Sequence, residues 1–375
     1  GFTCPAVNIR GMAYDMARSL FRAIKATDAT ATIFELARSE MGYTFQDPAE
    51  LAAVVLAAAI AEDYQGPVFI QGDHFQANAK KFASDPEGES HALEELIRKA
   101  VAAQFYCIDI DSSTLVDLSF ETVREQQAPN SKLTARLAKL VRELEPEGVT
   151  ISLGGEIGEV GKNNSTVEEL TEYVEGFHAL FGAEMAGLAK VSVQTGTSHG
   201  GIPLPDGTIA KVAIDFDTLR ELSRVGRERY GMAGAVQHGA STLPDELFHR
   251  FPEVETAEIH LATGFQNLLL DHGQFPADLL SEMRTWCERE LSDERKDGES
   301  DLQFFYKTRK KVWGPFKEKT WQLPEELRNT LNGDLQAKFE FLIRQLKADN
   351  TKEITLRHVV QKPVEVEPPK LGVRA

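Results

Sequence analysis

The run VFIQGDH at residues 68–74, followed by a helical pattern at His91–Ala103 and then by the run FYCIDID at residues 105–111, decides the fold. Each run is short and apolar or β-branched until polar residues gather at its end, and an amphipathic stretch long enough to cross back over a sheet separates the two. The alternation continues in both directions. Strand candidates fall at Pro5–Arg10, Ala31–Leu36, Val68–His74, Phe105–Asp111, Thr150–Gly158, Ala189–Gly196, Ala233–Gly239 and Glu255–Gly264, with helical patterns such as Pro48–Ala61 and Val167–Phe181 between them. Eight βα repeats predict an α/β fold, a (β/α)8 TIM barrel of the usual ~250 residues. An open doubly wound sheet would carry G-x-G-x-x-G after an early strand. None follows the first strand, and Gly154, Gly155, Gly158 and Gly161 read as a tight loop after the fifth. The barrel is expected over residues 1–290. A helical C-terminal extension is expected over 291–361, packing on the barrel or on a neighbouring subunit, with an extended tail over 362–375.

Composition bounds the function. The chain has 375 residues, 42% of them hydrophobic, enough for a large core. Its 41 Lys and Arg against 58 Asp and Glu give a formal charge of −17, which disfavours nucleic acid and anionic membrane as partners. An anionic substrate therefore needs a local basic pocket. Cys4, Cys107 and Cys287 are few, odd in number and widely spaced, so neither a disulfide framework nor a Cys-x-x-Cys site is expected, and a reducing cytoplasm fits best. The longest apolar run, Leu51–Ile60, is too short to span a membrane, and no charged-then-apolar leader opens the chain. The cluster Lys307, Arg309, Lys310 and Lys311 reads as a solvated face.

In such a barrel the loops after the strands converge on one rim, where chemistry is sited. Here the strand ends carry Gly72-Asp73-His74, Asp109-Ile110-Asp111-Ser112-Ser113, Gly155-Glu156-Ile157-Gly158-Glu159, Gly196-Thr197-Ser198-His199-Gly200, Gln237-His238-Gly239-Ala240-Ser241 and His260 with Thr263. His74, His199 and His238, then Glu156, compose a ligand set for Zn²⁺ or a similar divalent ion, which takes imidazole nitrogen and carboxylate oxygen. Asp73 can share the rim with His74 only if the strand has ended there; proton transfer to a substrate oxygen and orientation of a histidine remain equal readings. Asp109 and Asp111 share a strand face, so both or neither point inward. Gly239-Ala240-Ser241 before Pro244-Asp245-Glu246 reads as an anion cradle at a helix start or as a simple cap. His91, His178, His249 and His358 read as solvated, and His272 as a loop residue.

In this order the motifs resemble the class II, metal-dependent ketose-bisphosphate aldolases. The resemblance spans the eight strands and continues weakly into the basic segment. It implies zinc or another divalent ion on His74, His199 and His238 with Glu156, and Asp73 exchanging a proton with a substrate hydroxyl. It further implies Asp111 in the metal region, phosphate on Gly200, Gly239, Ser241 and Thr263, His260 at the strand-eight substrate position, a monovalent cation, and a subunit-crossing arginine near Arg309. The implied activity is reversible aldol cleavage of a phosphorylated ketose, fructose 1,6-bisphosphate or a relative, by a cytoplasmic homodimer or larger homo-oligomer in glycolysis or related carbohydrate metabolism. Two departures bear on substrate. The loop after strand five has Lys162-Asn163-Asn164 where the family carries an acidic base, leaving Glu159 as substitute, and strand eight reads HLATG instead of N-x-D-T-D. A metal-dependent sugar or sugar-acid epimerase and a non-catalytic aldolase-like subunit are the alternatives.

Overall fold

The structure, a computed structural model, describes residues 1–158, 163–182, 184–197, 203–205, 210, 214–360 and 362. Eight parallel strands, β1 Cys4–Asn8, β2 Ile33–Ala37, β3 Phe69–Gln76, β4 Cys107–Asp111, β5 Ser152–Gly158, β6 Lys190–Val193, β7 Gly234–Gln237 and β8 Glu258–Leu261, close into a barrel in sequence order. Closure is direct: β1 pairs with β2 on one side and with β8 on the other, Ala6 lying opposite both Ile33 and His260. The expected (β/α)8 barrel is therefore the observed fold.

The surrounding helices are α1 Ala13–Thr27, α2 Arg38–Thr44, α3 Pro48–Ala61, α4 Ala79–Ser84, α5 Pro86–Ala102, α6 Val123–Leu144, α7 Val167–Phe181, α8 Phe216–Tyr230, α9 Arg250–Glu253 and α10 Thr263–Leu270. Their starts are encoded locally. Thr122 and Thr166 each take the amide of the glutamate three residues on, while that glutamate bonds back, and Asp47 caps α3 ahead of Pro48. Leu20, Phe21, Ile97, Leu137, Val174 and Leu222 turn inward from these helices onto the strands and are buried. No single described helix is long and apolar enough to cross a membrane.

Beyond the barrel come α11 Ala277–Glu290, α12 Asp301–Thr308, α13 Lys317–Trp321, α14 Glu325–Gln345 and α15 Lys352–His358, with a 3-10 segment at Arg309–Trp313. The long α14 lies on α1, where buried Asp15 accepts bonds of 3.1 Å from both Arg328 and Asn332. At the other end of the barrel, Ile354, Thr355 and His358 of α15 line a pocket against the first residues of the strands, including Cys4 and Cys107. The three cysteines are free thiols.

One expectation about the strand ends needs correction. Strand eight is shorter than expected, and Thr263 and Gly264 open α10 instead of ending it. After Ser241 the helix opening at Pro244 is a single 3-10 turn, Asp245–Leu247, followed by the short α9. Ser241 Oγ accepts the Gly264 amide at 3.1 Å, tying the loop after β7 to the start of α10.

Candidate metal centre and active site

The key local event is on β3. Gly72 pairs with Ile108, yet Phe75, three residues on, pairs with Ile110, so one extra residue is accommodated between them. His74 supplies it, with a left-handed backbone at φ 40°. This bulge lets Asp73 and His74 face the barrel interior together, which regular alternation along β3 forbids. Gly72 is required for packing as well: a Cβ there would lie 2.3 Å from the Phe75 ring. A similar irregularity on β5 follows Glu156, at Gly158 with φ 56°.

From the bulge, His74 Nδ1 lies 3.1 Å from Asp111 Oδ2 and 3.0 Å from Glu156 Oε2. Asp73 Oδ1 lies 3.1 Å from His238 Nε2 and 3.1 Å from His260 Nδ1. The imidazoles of His74, His238 and His260 follow one another at centroid separations of 4.1 Å. Below them, His260 Nε2 meets Glu258 at 2.7 Å, Glu258 pairs with Lys190, and Lys190 lies 3.2 Å from Asp109 and donates to Gln71 at 2.6 Å. Asp109 and Asp111 thus both point inward.

Electrostatics follow from this crowding. Six carboxyl groups, of Glu35, Asp73, Asp109, Asp111, Glu156 and Glu258, face a single lysine. Burial would raise Asp73, but the charges of His74 and His260 outweigh it and hold the group well below the usual carboxyl range. Burial and the neighbouring Asp111 charge push Glu156 up to about 7. Burial likewise pushes Glu35 up to about 7 against the pull of His260, and Asp109 up to about 6 against Lys190. His74 and His260 are held protonated by the acids around them despite burial, whereas burial and two charged imidazoles keep His238 neutral.

This donor set fits a divalent cation. Donor atoms of Asp73, His74 and His238, and again of His74, Asp111 and Glu156, lie within 4.8 Å of one another. Mixed imidazole and carboxylate donors with an excess of negative charge suit zinc and its neighbours. A metal must displace the proton on His74 and the one that Glu156 carries about half the time at pH 7. Metal uptake is therefore expected to release protons and to tighten as pH rises from 6 to 8. Titration calorimetry in buffers of different ionisation enthalpy measures both, and a pH-independent affinity without proton release contradicts this ligand set. Without metal the sign reverses. Glu35 and Glu156 bind protons more tightly folded than unfolded, so stability should fall as pH climbs from about 4.5 through 7.

Above the donors opens a cavity of about 780 Å³ at the C-terminal ends of the strands. It is lined by Asp73, His74, His238, Gly239, Ser241, His260 and Thr263 of the sequence-predicted set. Asp111 and Glu156 lie behind His74. His199, Gly200 and Glu159 fall outside the described residues.

Lys307, Lys310 and Lys311 line the mouth of this cavity, Lys310 exposed and the other two partly so. Arg309, near which the resemblance implies a subunit-crossing arginine, is buried within this chain: it pairs through both nitrogens with Asp271, donates to Asn267 at 2.8 Å and lies over the Tyr306 ring.

Sequence profiles of protein families decide the lineage. The profile described as Fructose-bisphosphate aldolase class-II matches residues 1–310. The chain belongs to the class II fructose-bisphosphate aldolase family. Members are generally dependent on a divalent metal, in keeping with the donors gathered at His74. No curated protein matches the sequence. Among solved structures, a fructose-bisphosphate aldolase from Campylobacter jejuni superposes with TM-score 0.54 at 15% identity, covering 93% of this chain and 91% of that one. A protein described as a probable tagatose 6 phosphate kinase from Sinorhizobium meliloti 1021 gives 0.63 at 17% identity, covering 95% and 93%. A fructuronate-tagaturonate epimerase from Cohnella laeviribosi gives 0.57 at 10% identity, covering 95% and 81%. These likenesses are of fold.

Sequence reasoning missed Glu35, Lys190 and Glu258. Each is the only Asp, Glu, Lys or Arg in its strand interior, IFEL, AKVSV and EIHL, and such a charge in a strand buried on both faces points into a barrel to find a partner.

Proposed function

We propose that this chain is a zinc-dependent lyase that reversibly cleaves a phosphorylated ketose, fructose 1,6-bisphosphate or a close relative, into dihydroxyacetone phosphate and an aldehyde. The observation that carries the reading is the meeting of His74, His238, Asp73 and Glu156 under a cavity lined by lysines, in a chain of charge −17. His74, His238 and Glu156 would hold the metal, with His199 as the expected third imidazole. Bound there, a divalent ion supplies Lewis-acid polarisation of a ketose carbonyl. Asp73, held ionised, accepts the proton of the hydroxyl on the carbon that becomes the aldehyde, and His238 and His260 fix its orientation at 3.1 Å each. Glu159 is the proposed base for the carbon proton of the triose half, and Gly200, Gly239, Ser241 and Thr263 the proposed phosphate contacts. A cytoplasmic homo-oligomer with a barrel over 1–290 and a docked helical extension is part of the same proposal.

One observation favours a second reading. On β8, His260 and Ala262 stand where aldolases carry Asn and Asp, and a buried imidazolium beside Asp73 suits proton shuttling in a sugar-acid epimerase. Incubation with dihydroxyacetone phosphate in deuterium oxide separates the two. Metal-dependent exchange of one carbon-bound hydrogen is the aldolase half-reaction; no exchange by fully metal-loaded protein overturns the first reading.

A further inference from the structure

Past the last rungs of the barrel ladder, side chains take over from backbone pairing. β6 pairs with β7 only as far as Val193 opposite Gln237, and β5 with β6 only as far as Gly158 opposite Val193. His238 is the next residue, so this proposed ligand sits on backbone that no ladder holds, and its carbonyl needs donors from elsewhere. Gln237 Nε2 donates to the His238 carbonyl at 2.7 Å and to Thr197 Oγ1 at 2.9 Å. Thr197 Oγ1 donates to the same carbonyl at 2.8 Å, and Thr195 Oγ1 donates to Gln237 Oε1 at 2.5 Å. All three side chains are buried, those of Gln237 and Thr195 completely. Both amide hydrogens of Gln237, its carbonyl oxygen and both acceptor positions of the His238 carbonyl are thereby used.

The far end of this network is anchored. Gln194 Oε1 accepts the Gly196 and Thr197 amides at 2.9 and 3.1 Å, and the Thr195 carbonyl accepts the amide of Asp215, the residue that caps α8, at 2.9 Å. The segment after β6 is thus tied to a helix start, and through Thr197 and Gln237 it ties His238 in turn. β7 otherwise reads Gly-Ala-Val, and an aliphatic residue at 237 would fill the same interior without desolvating an amide. What the glutamine adds is its bonds to the His238 carbonyl and to the two threonines. The His238 ring lies between those of His74 and His260, with Nε2 3.1 Å from Asp73, so a shift of the His238 backbone carries the Nε2 donor with it.

We propose that Gln237 is a positioning residue for the metal centre: with Thr195 and Thr197 it locks the His238 backbone to the segment after β6, and so sets where the His238 imidazole stands against His74 and Asp73. The inference rests on the metal-ligand reading of His238. A buried network with every member satisfied is rigid, and loss of a partner that orients a ligand costs about 10–100-fold in metal affinity. A network that served stability alone would leave the geometry around the metal untouched.

The test is the visible spectrum of the full-length protein loaded with cobalt(II), read beside cobalt affinity and the melting temperature of the metal-free protein. Thr197→Val conserves shape but takes one bond from the His238 carbonyl and one from Gln237; it should shift the ligand-field bands and weaken cobalt binding about tenfold. Thr197→Ser restores the hydroxyl and should restore both. Gln237→Leu removes the whole network and should weaken cobalt further, on the order of a hundredfold. Bands and affinity equal to the parent in Thr197→Val, or a lowered melting temperature with an unchanged spectrum, overturn the inference and leave the ligand assignment standing. Failure of Thr197→Ser to recover the parental spectrum overturns it as well. If Gln237→Leu does not fold, the two Thr197 variants decide alone. A parent protein that takes up no cobalt overturns the metal reading itself, and this inference with it.

Discussion

His238→Ala is expected to leave the protein folded but unable to hold a metal ion. His238 is neutral, 3.1 Å from Asp73 and set between the tilted rings of His74 and His260, so its ring is available as a nitrogen donor without first losing a proton. Removing it takes an imidazole from the donor group Asp73–His74–His238 and leaves His74 among carboxylates, a set better suited to hard ions than to zinc. Loss of an outer partner of a metal ligand costs about 10–100-fold in affinity or activity. Loss of a ligand itself should exceed that, on the order of 10³-fold in zinc affinity. Metal content by elemental analysis should drop from near stoichiometric to background, and zinc should no longer raise the melting temperature. Unchanged zinc content at an unchanged melting temperature rules out the ligand assignment.

The second large effect lies deeper. Lys190 is 4% exposed and is, among the described residues, the single lysine among the carboxyls of the barrel interior, paired with Glu258 and 3.2 Å from Asp109. Lys190→Met conserves length and apolar stem but strands both acids. Breaking a buried pair by removing one partner costs about 3–5 kcal/mol, because the remaining charge stays desolvated. At about 2 °C per kcal/mol for a chain of this size, the melting temperature should fall by about 6–10 °C. Lys190→Met combined with Glu258→Gln should recover part of the loss, since the stranded charge is then removed. The damage should reach the site as well, because Glu258 anchors His260 Nε2 at 2.7 Å and His260 Nδ1 holds Asp73. Wild-type stability in Lys190→Met would mean that the interior charges are solvated, not paired as described.

The eight βα units were legible because short apolar or β-branched runs alternate with amphipathic stretches, and parallel strands inside a barrel announce themselves as apolar runs. The rim motifs were legible because glycine, acid and histidine collect at the ends of successive strands. What was hidden is of two kinds. The bulge at His74 that aims Asp73 and His74 inward together needs the register against β4, which no property of residues 68–76 announces beyond Gly72. The path of the basic segment was hidden as well. Arg309 and Lys310 are adjacent in sequence, yet one closes an ion pair with Asp271 and the other reaches the cavity, and the Gly11 contact with Trp313 that sorts them spans some 300 residues of chain, as the numbering shows. The strand-eight histidine has a place in the structure: His260 ties the rim to Glu258 and Lys190 beneath it.

Cleavage of fructose 1,6-bisphosphate is the most direct measurement. Triose-phosphate release by the zinc-loaded protein should be abolished by a chelator, restored by zinc, and absent from His238→Ala under both conditions. Release that persists through complete metal removal, or none from protein shown to hold one zinc per chain, would contradict a metal-dependent lyase of phosphorylated ketoses.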